Sequence, residues 1–456
     1  MIDSPEKKLK KIFEKGILYF KNKKFNEANK YFEECYRINN NNENIINYLV
    51  LTFINKKQYF KAEKLLLEAT KKFNKNFYFL NRLGQIYYEI GQTNKAIEYY
   101  NSSLNIETNN LEAYCNIGLS YLRNAEYSLS KNIFEKGFKN IPTRDQAPLL
   151  YAYSYLLFST NELEKGFKAF EERKNNKNYS LLKNLKMNEW RGQDLNNKSI
   201  LIFSEMGIGD IIQFSRYLFE LKKKYSVKII FKIPKKLHHL FENCNLEIIG
   251  PQEIPNTDYY QCLMSLPGII YLREKKLVKN FNFIKTNKKL INHWAKKLKF
   301  LKGKKVGLVW QGSPTYGKDF MRSIPLENFK KLFVNPDINF ISLQKGPGEE
   351  QIKNFKIKNK LYDFSQELDN GLNSFEDTIA ILKNIDLLIT VDTSLAHIAS
   401  TMNIKTWLLL DYSPDWRWHL QTESFNWYDN LEIYKQNKIF SWTEVVDQIA
   451  DKLTTL

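Results

Sequence analysis

The first 175 residues repeat with a period of 34, and this period restricts the fold of the N-terminal part more than any other feature. Small and aromatic residues recur at fixed positions in each unit. One column is Gly16, Gly84 and Gly118, with Val50 in the second unit; another is Ala28, Ala62, Ala96 and Ser130; a third is Phe32, Leu66, Tyr100 and Phe134. Small residues are required where two helices cross closely, and aromatic rings fill the remaining space. We therefore predict that each unit is a helical hairpin and that the hairpins stack.

The spacing within each unit is typical of the tetratricopeptide repeat. A fifth, looser unit contains Gly166 and Phe170, which keep their mutual spacing but lie two positions out of register. We predict a tetratricopeptide α-superhelix of about five units over residues 1–178, followed by a linker over 179–195. Such a superhelix normally holds a peptide or a partner protein in its groove. The first helices of the pairs present polar and aromatic groups there, namely Asn47, Tyr78, Asn81, Gln85, Asn116 and Arg123.

The second half of the chain consists of short β-branched runs separated by helix-like stretches. The runs are "SILIF", "VKIIFKI", "KVGLVW", "INFISL", "DLLITV" and "TWLLL". Alternating strands and amphipathic helices predict parallel sheets of the doubly wound kind. We predict two α/β domains over 196–290 and 303–456, joined by a linker over 291–302. The second domain ends in a helix, for which Ser441 and Glu444 form a candidate capping box.

Loops at three strand ends are candidate binding sites, because ligands of open parallel sheets bind beyond the carboxyl ends of the strands. They are "SEMGIGD" at 204–210, "QGSPTYGKDFMRSIPL" at 311–326 and "DTSLAH" at 392–397. The third offers backbone N–H groups at a helix start, which suits a phosphate. Each loop also has a purely structural explanation, since Gly-x-Gly is often a tight turn and Asp-Thr-Ser is often a helix cap.

The order of the motifs in this half resembles a known family. The stretches are "EMGIGDIIQFSRYL", "MSLP", "VGLVWQGSP", "RSIPL", "FISLQKG", "FEDTIAIL", "DLLITVDTSLAHIA" and "PDWRW". They resemble bacterial glycosyltransferases related to the ADP-heptose lipopolysaccharide heptosyltransferases, in the subgroup with N-terminal tetratricopeptide repeats. The resemblance implies a GT-B fold, which is a pair of Rossmann-like domains with a nucleotide-sugar bound in the cleft. It also implies inverting transfer without a metal or another cofactor.

The resemblance assigns the acceptor side of the cleft to the first loop. Asp210 corresponds to the catalytic base, which takes the proton from an acceptor hydroxyl. Gly207 and Gly209 admit the acceptor or the sugar because they have no side chains. Gln213 and Arg216 lie one helical turn further on and would orient the acceptor. A simpler role for Asp210 is to cap the helix that follows, and the two roles are compatible.

The resemblance assigns the donor side to the other two loops. Helix-start amides from Thr393 to Ala396 would stabilise the leaving diphosphate, assisted by a cation, for which Arg322 and Lys345 are the candidates. His397 would bond the diphosphate or pack inside its helix, and "PDWRW" would close the cleft or belong to the core. The full set of predicted donor-side residues is Gln311, Gly312, Ser313, Arg322, Gln344, Lys345, Asp392, Thr393, Ser394, Leu395, Ala396 and His397.

These motifs do not identify the acceptor of the sugar. A protein docked in the repeat groove is the first interpretation, and the combination of repeats with GT-B also resembles the protein O-GlcNAc transferases. However, their asparagine ladder is nearly absent, since the corresponding positions are Glu14, Tyr48, Arg82 and Asn116. The alternatives are a glycan or lipid-linked acceptor in surface polysaccharide assembly, or a non-catalytic adaptor with a relic GT-B domain.

Composition narrows the class of protein further. The formal charge is +19, but residues 1–180 and 181–456 carry nearly equal excesses of Lys and Arg, so a dedicated nucleic-acid face is not indicated. The four cysteines are scattered, which predicts neither a zinc site nor a disulfide framework. We expect no signal peptide and no membrane span. The sequence thus predicts a cytoplasmic protein, with peripheral attachment to the inner membrane as a further option.

Overall fold

The computed structural model describes residues 5–455, apart from 243, 280–281, 356, 358–359 and 420–425. The chain forms two compact units, Met1–Leu156 and Leu157–Leu456. The first is helical and the second contains two parallel sheets.

The first unit consists of helical hairpins in register with the predicted period. Its helices are α1 Pro5–Lys21, α2 Phe25–Ile38, α3 Glu43–Asn55, α4 Tyr59–Lys72, α5 Phe77–Glu89, α6 Thr93–Ile106, α7 Leu111–Arg123 and α8 Tyr127–Asn140. Asn42, Asn76 and Asn110 cap α3, α5 and α7 by accepting a hydrogen bond from a helix-start amide. Because these asparagines recur at the same position, each loop ends at the same point of the repeat. The predicted tetratricopeptide repeats are confirmed.

The recurring spacing of small and aromatic residues corresponds to one repeated contact inside each hairpin. A Cβ atom added at Gly16 would lie 2.7 Å from the ring of Phe32, and one added at Gly84 would lie 2.5 Å from the ring of Tyr100. Both rings are fully buried. The two helices of a pair can therefore approach closely only where the first helix has no side chain.

The first unit ends earlier than the repeat pattern predicts. The boundary falls inside α9, Ala147–Ser159, and α10, Leu163–Phe170, belongs to the second unit. Phe158 stacks on Trp416 with ring centroids 4.4 Å apart, so the fifth pair contributes to the core of the α/β unit. The predicted linker over 179–195 is likewise part of this unit, since it contains 3₁₀ turns and the first strand of a sheet.

The first sheet of the second unit has five parallel strands in the order β1-β5-β2-β3-β4. The strands are β1 Asn188–Glu189, β2 Lys198–Phe203, β3 Val227–Lys232, β4 Glu247–Ile249 and β5 Tyr259–Cys262. The helices that follow are α11 Ile208–Phe214, α12 Arg216–Lys224, α13 Leu266–Glu274 and α14 Lys288–Lys297. The predicted linker over 291–302 contains most of α14, where Trp294 is buried and donates a hydrogen bond to Asp377.

The second sheet has six parallel strands in the order β11-β10-β9-β6-β7-β8. The strands are β6 Lys304–Val309, β7 Ile338–Ser342, β8 Leu361–Asp363, β9 Leu387–Val391, β10 Thr406–Leu410 and β11 Leu431–Lys435. The helices are α15 Asp319–Arg322, α16 Glu350–Asn354, α17 Glu376–Leu382, α18 Ser394–Thr401, α19 Trp416–His419 and α20 Thr443–Leu453. Parallel sheets with intervening helices confirm the predicted α/β class.

The C-terminal helix lies where the sequence predicts it, but its capping box does not form. Val445, Val446 and Ile449 are buried, as the apolar face of α20 requires. Glu444 instead accepts a hydrogen bond from the side-chain amide of Asn437, and no side chain caps the helix start.

Strand order defines one switch point in each sheet, where the chain leaves one side of a strand and returns on the other. In the first sheet β2 lies between β3 and β5, and in the second sheet β6 lies between β7 and β9. Ligands of doubly wound sheets bind beyond the carboxyl ends of the strands at such points. The loops after β2, β6 and β9 are the three that the sequence singles out.

Candidate functional site

The helices that follow two of these loops, α11 and α18, pack against each other and bring the two strand ends together. Gly209 lies at the contact: a Cβ atom there would be 2.9 Å from Cδ2 of His397 and 3.6 Å from Cα of Ser394. A larger residue at 209 would push the helices apart. Gly209, Asp210, Ser394 and His397 therefore form one site, which joins the predicted acceptor and donor sides.

Asp210 is a buried carboxylate with a partner on each oxygen. Oδ1 accepts a hydrogen bond from Nη2 of Arg417 at 2.5 Å, and Oδ2 accepts one from the backbone N–H of Gly207 at 2.8 Å. Burial raises the pKa of Asp210, whereas Arg417 and the Gly207 amide lower it. Asp210 thus caps α11, the alternative role that its sequence position allowed, and its charge is matched by an arginine.

Arg417 is the central cation of the site and was absent from the predicted donor and acceptor sets. Its Nε lies 3.3 Å from Asp415, and Asp210, Asp392 and Asp415 raise its pKa against the effect of burial. The sequence contains a weak signal for it, since a charged residue flanked by Trp416 and Trp418 indicates an aromatic enclosure. Both tryptophans are buried, so "PDWRW" is part of the core as well as the site.

His397 is a buried, neutral side chain. Its Nδ1 is 3.0 Å from the hydroxyl of Tyr428, and its ring stacks on Trp418 with centroids 5.3 Å apart. Burial holds the pKa of His397 well below its usual value, and Arg417 and Arg216 add to this effect. The packing role that the sequence left open is therefore present.

The first turn of α18 has two backbone amides without a partner among the described residues. The hydroxyl of Thr393 accepts the N–H of Leu395 at 3.3 Å, and the Thr393 carbonyl accepts the N–H of Ala396 at 3.1 Å. The N–H groups of Thr393 and Ser394 remain available. Of the four amides predicted to bind a diphosphate, two are thus already used within the helix cap.

Asp392 adds a further carboxyl group at this helix start. Burial raises the pKa of Asp392 to about 6, although Arg417 and Arg322 oppose the shift. Such a group changes charge close to neutral pH, which is uncommon for an aspartate. Perturbed carboxyl groups of this kind are frequent at functional sites.

The loop after β6 is held in place by Gln344. Its Oε1 accepts the N–H groups of Trp310 and Gln311, and its Nε2 donates to the carbonyl of Gln311 at 3.0 Å. A side chain at Gly312 would overlap the guanidinium of Arg322, and Ser313 is exposed with its hydroxyl bonded to Thr315. Nε2 of Gln344 also donates to the carbonyl of Pro347 at 2.6 Å, so the Gln344 amide is saturated by backbone groups and positions the loop.

The two predicted donor cations differ in position. Arg322 donates to the backbone carbonyl of Asp392 at 2.6 Å and to Asp319 at 3.0 Å, so it lies beside α18. Lys345 donates to the carbonyl of Ser365 at 2.7 Å and to Asn370 at 3.0 Å. Because these contacts hold the Lys345 ammonium on the loop that follows β8, it does not belong to the candidate site.

Gln213 and Arg216, predicted to orient an acceptor, lie inside the unit. Gln213 is fully buried, and neither of its amide atoms has a hydrogen-bond partner among the described residues. Arg216 donates to the carbonyls of Gln213 and Trp427 and lies 4.6 Å from the ring of Tyr428. Their positions support the helix and do not open onto a surface.

A second buried ion pair fixes the loop that precedes Asp210. Arg173 donates to both carboxylate oxygens of Glu205, at 3.2 and 2.8 Å, and Tyr179 and the Met264 amide donate to the same group. Glu205 is next to Met206, which has a left-handed backbone with φ of 62°. Arg173 lies in the charged stretch "FEERK", which the sequence reading placed at the end of the repeats. The sequence did not single out Arg173 because its partner, Glu205, lies beyond residue 178, the predicted end of the repeats.

In the first unit, two of the six predicted groove residues are buried between repeats. Asn81 bonds with Asn110 and Glu112, and Arg123 donates to the carbonyl of Tyr88 at 2.5 Å. Tyr78 is 52% exposed, whereas Asn47, Gln85 and Asn116 are half-buried. The surface available to a partner is therefore smaller than predicted.

Other classes of site find no support within the residues described. No group of three or more His, Cys, Asp or Glu side chains there could hold a metal ion. The four cysteines are free thiols. Across the same residues, no helix combines the length and apolarity needed to cross a bilayer.

Comparison with family models identifies the repeats. One model, TPR repeat, matches residues 56–124, and another, Tetratricopeptide repeat, matches residues 12–42 and 111–143. A solved tetratricopeptide repeat protein from Parabacteroides merdae is 18% identical with a TM-score of 0.30, covering 36% of this chain and 64% of its own. A thermophilic TPR protein of Thermus thermophilus is 12% identical with a TM-score of 0.34, covering 38% and 93%.

Two curated proteins are similar in sequence. Over 82% of its length the chain is 21% identical to Protein FlbA of Caulobacter vibrioides, and the match covers 66% of FlbA. It is 30% identical over 26% of its length to TPR repeat-containing protein MJ1428 of Methanocaldococcus jannaschii, covering 21% of that protein. The chain thus spans just under two thirds of the first relative and about a fifth of the second. Since the FlbA match extends over 396 residues, it includes most of the α/β unit.

Proposed function

We propose that this chain is a GT-B glycosyltransferase that moves a sugar from a nucleotide-sugar to a hydroxyl group of a protein docked on its repeats. The observation that carries the proposal is the meeting of Asp210 and the free α18 amides, supplied by the ends of β2 and β9. A carboxylate beside a helix start matches the two needs of this reaction, a base for the acceptor and amides for the departing diphosphate.

The chemical step follows from this arrangement. The Asp210 carboxylate takes the proton of the acceptor hydroxyl while the hydroxyl oxygen bonds to the anomeric carbon of the donor sugar. The bond between that carbon and the diphosphate oxygen breaks, and its electron pair leaves with the diphosphate. The amides of Thr393 and Ser394 stabilise the charge that develops there, an effect that is strong in a site shielded from water.

The repeats account for the choice of a protein acceptor. Tetratricopeptide superhelices present an extended concave surface to partner chains. Tyr78, Gln85 and Asn116 remain at least partly exposed on the first helices of their repeats. Their amide and hydroxyl groups both donate and accept hydrogen bonds, so they suit the backbone of an extended peptide.

The test is a direct assay for transfer. The full chain is incubated with a panel of nucleotide-sugars, with and without extract protein, and release of nucleoside diphosphate is measured. We expect release with one donor, stimulation by protein, and no effect of a chelator. Release stimulated by a glycan or lipid-linked fraction would favour the surface-glycan alternative. No binding and no release with any donor would favour the non-catalytic adaptor.

A further inference from the structure

The charges around α18 pose a problem for an anionic donor. Asp210, Asp392 and Asp415 all interact electrostatically with Arg417 within this one site. A nucleoside diphosphate entering here meets three carboxyl groups, and like charges in a buried site repel strongly. Binding at the free amides of Thr393 and Ser394 therefore requires a cation that can turn towards the diphosphate.

The two cations offered by the family resemblance do not meet this requirement equally. Lys345 is held by Ser365 and Asn370, away from the helix start. Arg322 is held beside α18 by the Asp392 carbonyl and by Asp319, so it is part of the rigid wall. Arg417 differs because both of its carboxylate contacts are side chains in the site: the shorter is with Asp210, the proposed base, and the longer, at 3.3 Å, is with Asp415.

Resting on the proposed function, we propose that Arg417 is shared between Asp210 and the donor diphosphate. With no donor present, Arg417 holds Asp210 in the buried pair. A bound diphosphate draws the guanidinium towards the α18 amides, because guanidinium binds phosphate in the same bidentate manner as carboxylate. The freed oxygen of Asp210 then accepts the proton of the acceptor. Donor binding would thus precede activation of the base.

This arrangement makes an unusual prediction about affinity. If Arg417 must leave Asp210 in order to bind the diphosphate, removing the Asp210 charge favours the donor-bound position. Asp210→Asn should therefore bind nucleoside diphosphate several-fold more tightly than the natural chain, because the ion pair between Arg417 and Asp210 no longer has to be broken. Arg417→Gln should bind it about ten- to a hundredfold more weakly, the range for losing one charged hydrogen bond. The affinity of Arg417→Lys for nucleoside diphosphate should lie between the affinities of these two variants.

The experiment is calorimetric titration of the full-length chain with UDP, GDP, ADP and TDP. Asp210→Asn, Arg417→Gln, Arg417→Lys and the double variant Asp210→Asn/Arg417→Gln are compared. Lys228→Gln serves as the control, because Lys228 is an exposed cation at the start of β3 that pairs with Glu247, and it should bind as the natural chain does. Tryptophan fluorescence checks folding, since all eight tryptophans lie between Trp190 and Trp442. If Arg417→Gln does not fold, Arg417→Lys and Asp210→Asn still give the comparison.

The double variant distinguishes sharing from simple repulsion. Sharing predicts that Asp210→Asn gives no gain in affinity when Arg417 is already glutamine. An equal gain in both backgrounds, or unchanged affinity in Arg417→Gln, would overturn the inference while leaving the glycosyltransferase proposal in place. If the natural chain binds none of the four nucleotides, both the inference and the glycosyltransferase proposal are refuted. The titration detects this outcome independently of the release assay.

Discussion

Asp210 and Arg417 lie 207 positions apart in the sequence and form a buried ion pair, with Oδ1 and Nη2 at 2.5 Å. Asp210 is at the start of α11, after β2 of the first sheet, and Arg417 is on α19, after β10 of the second. The pair therefore links groups contributed by both sheets of the α/β unit. Burial raises the pKa of Asp210 and Arg417 lowers it, so the carboxylate depends on Arg417 to remain ionised, whereas the guanidinium is charged in any case.

Loss of the proposed base should abolish most of the transfer without loss of nucleotide binding. We expect Asp210→Asn to lower the transfer rate by about a hundredfold or more, the scale on which general-base catalysis contributes. Initial rates with the donor identified by the release assay provide the measurement. Asp258→Asn is the control, because Asp258 is partly exposed and bonds Ser199 at the opposite ends of the strands. If Asp210→Asn transferred sugar at the rate of the natural chain, Asp210 would not be the catalytic base.

Asp392 should make the α/β unit less stable as the pH rises through about 6. Its native pKa of about 6 lies above the ordinary aspartate value, so the folded state holds the proton more tightly than the unfolded chain. The burial penalty is absent below about pH 3, where both states are protonated, and complete above about pH 7. Asp392→Asn is therefore expected to stabilise the unit by about 1–3 kcal/mol at neutral pH only. Urea unfolding followed by tryptophan fluorescence measures this, and an equal gain at about pH 4 would contradict the titration.

The glycine column should be intolerant of even a methyl group. Gly84→Ala places a Cβ atom against the buried ring of Tyr100 and is expected to destabilise the repeats by about 1–3 kcal/mol. Helical circular dichroism during thermal unfolding reports the change. Ser102→Ala, at an exposed position of α6, is the control in the same repeat and should be nearly neutral. An unchanged unfolding midpoint for Gly84→Ala would show that α5 and α6 move apart easily.

The Arg173–Glu205 pair should stabilise the loop that carries Asp210. Arg173→Gln leaves the buried Glu205 carboxylate without its main partner and is expected to cost about 3–5 kcal/mol. The added change Glu205→Gln should recover much of this loss, because it removes the unpaired charge. Tryptophan fluorescence during urea unfolding measures both variants. No recovery in the double variant would mean that Arg173 acts through its contacts with Glu171 and Ser265 instead.

The repeat groove should affect acceptor binding more than chemistry. We expect Tyr78→Ala and Asn116→Ala to raise the acceptor KM with little change in kcat, since they remove contacts remote from the reacting atoms. Asn81→Ala should instead lower the stability of the repeats, because Asn81 is buried against Asn110. Asn101→Ala, exposed on α6, is the neutral control. An unchanged KM in both groove variants would favour the glycan or lipid-linked acceptor.

Local patterns in the sequence were sufficient for the elements and for the candidate loops. Helix starts at Glu43, Phe77 and Leu111 follow the 34-residue period because small residues, rings and asparagine caps act within one hairpin. Six strands, namely β2, β3, β6, β7, β9 and β10, match the predicted β-branched runs, whereas β1, β4, β5, β8 and β11 lie outside them. The loops with Gly209 and Thr393 could be singled out because strand ends of parallel sheets are predictable binding positions.

The partners of the charged groups were decided by tertiary structure alone. Nothing near Asp210 in sequence indicates Arg417, and nothing near Arg173 indicates Glu205. Lys345 was predicted to assist a diphosphate and Asn81 to line the repeat groove, yet Lys345 bonds a neighbouring loop and Asn81 is buried between repeats. Sequence patterns report side-chain size and polarity along one element, whereas ion pairing depends on which distant elements exclude water together. The chain therefore specified the scaffold locally, and long-range packing determined which charges meet in the site.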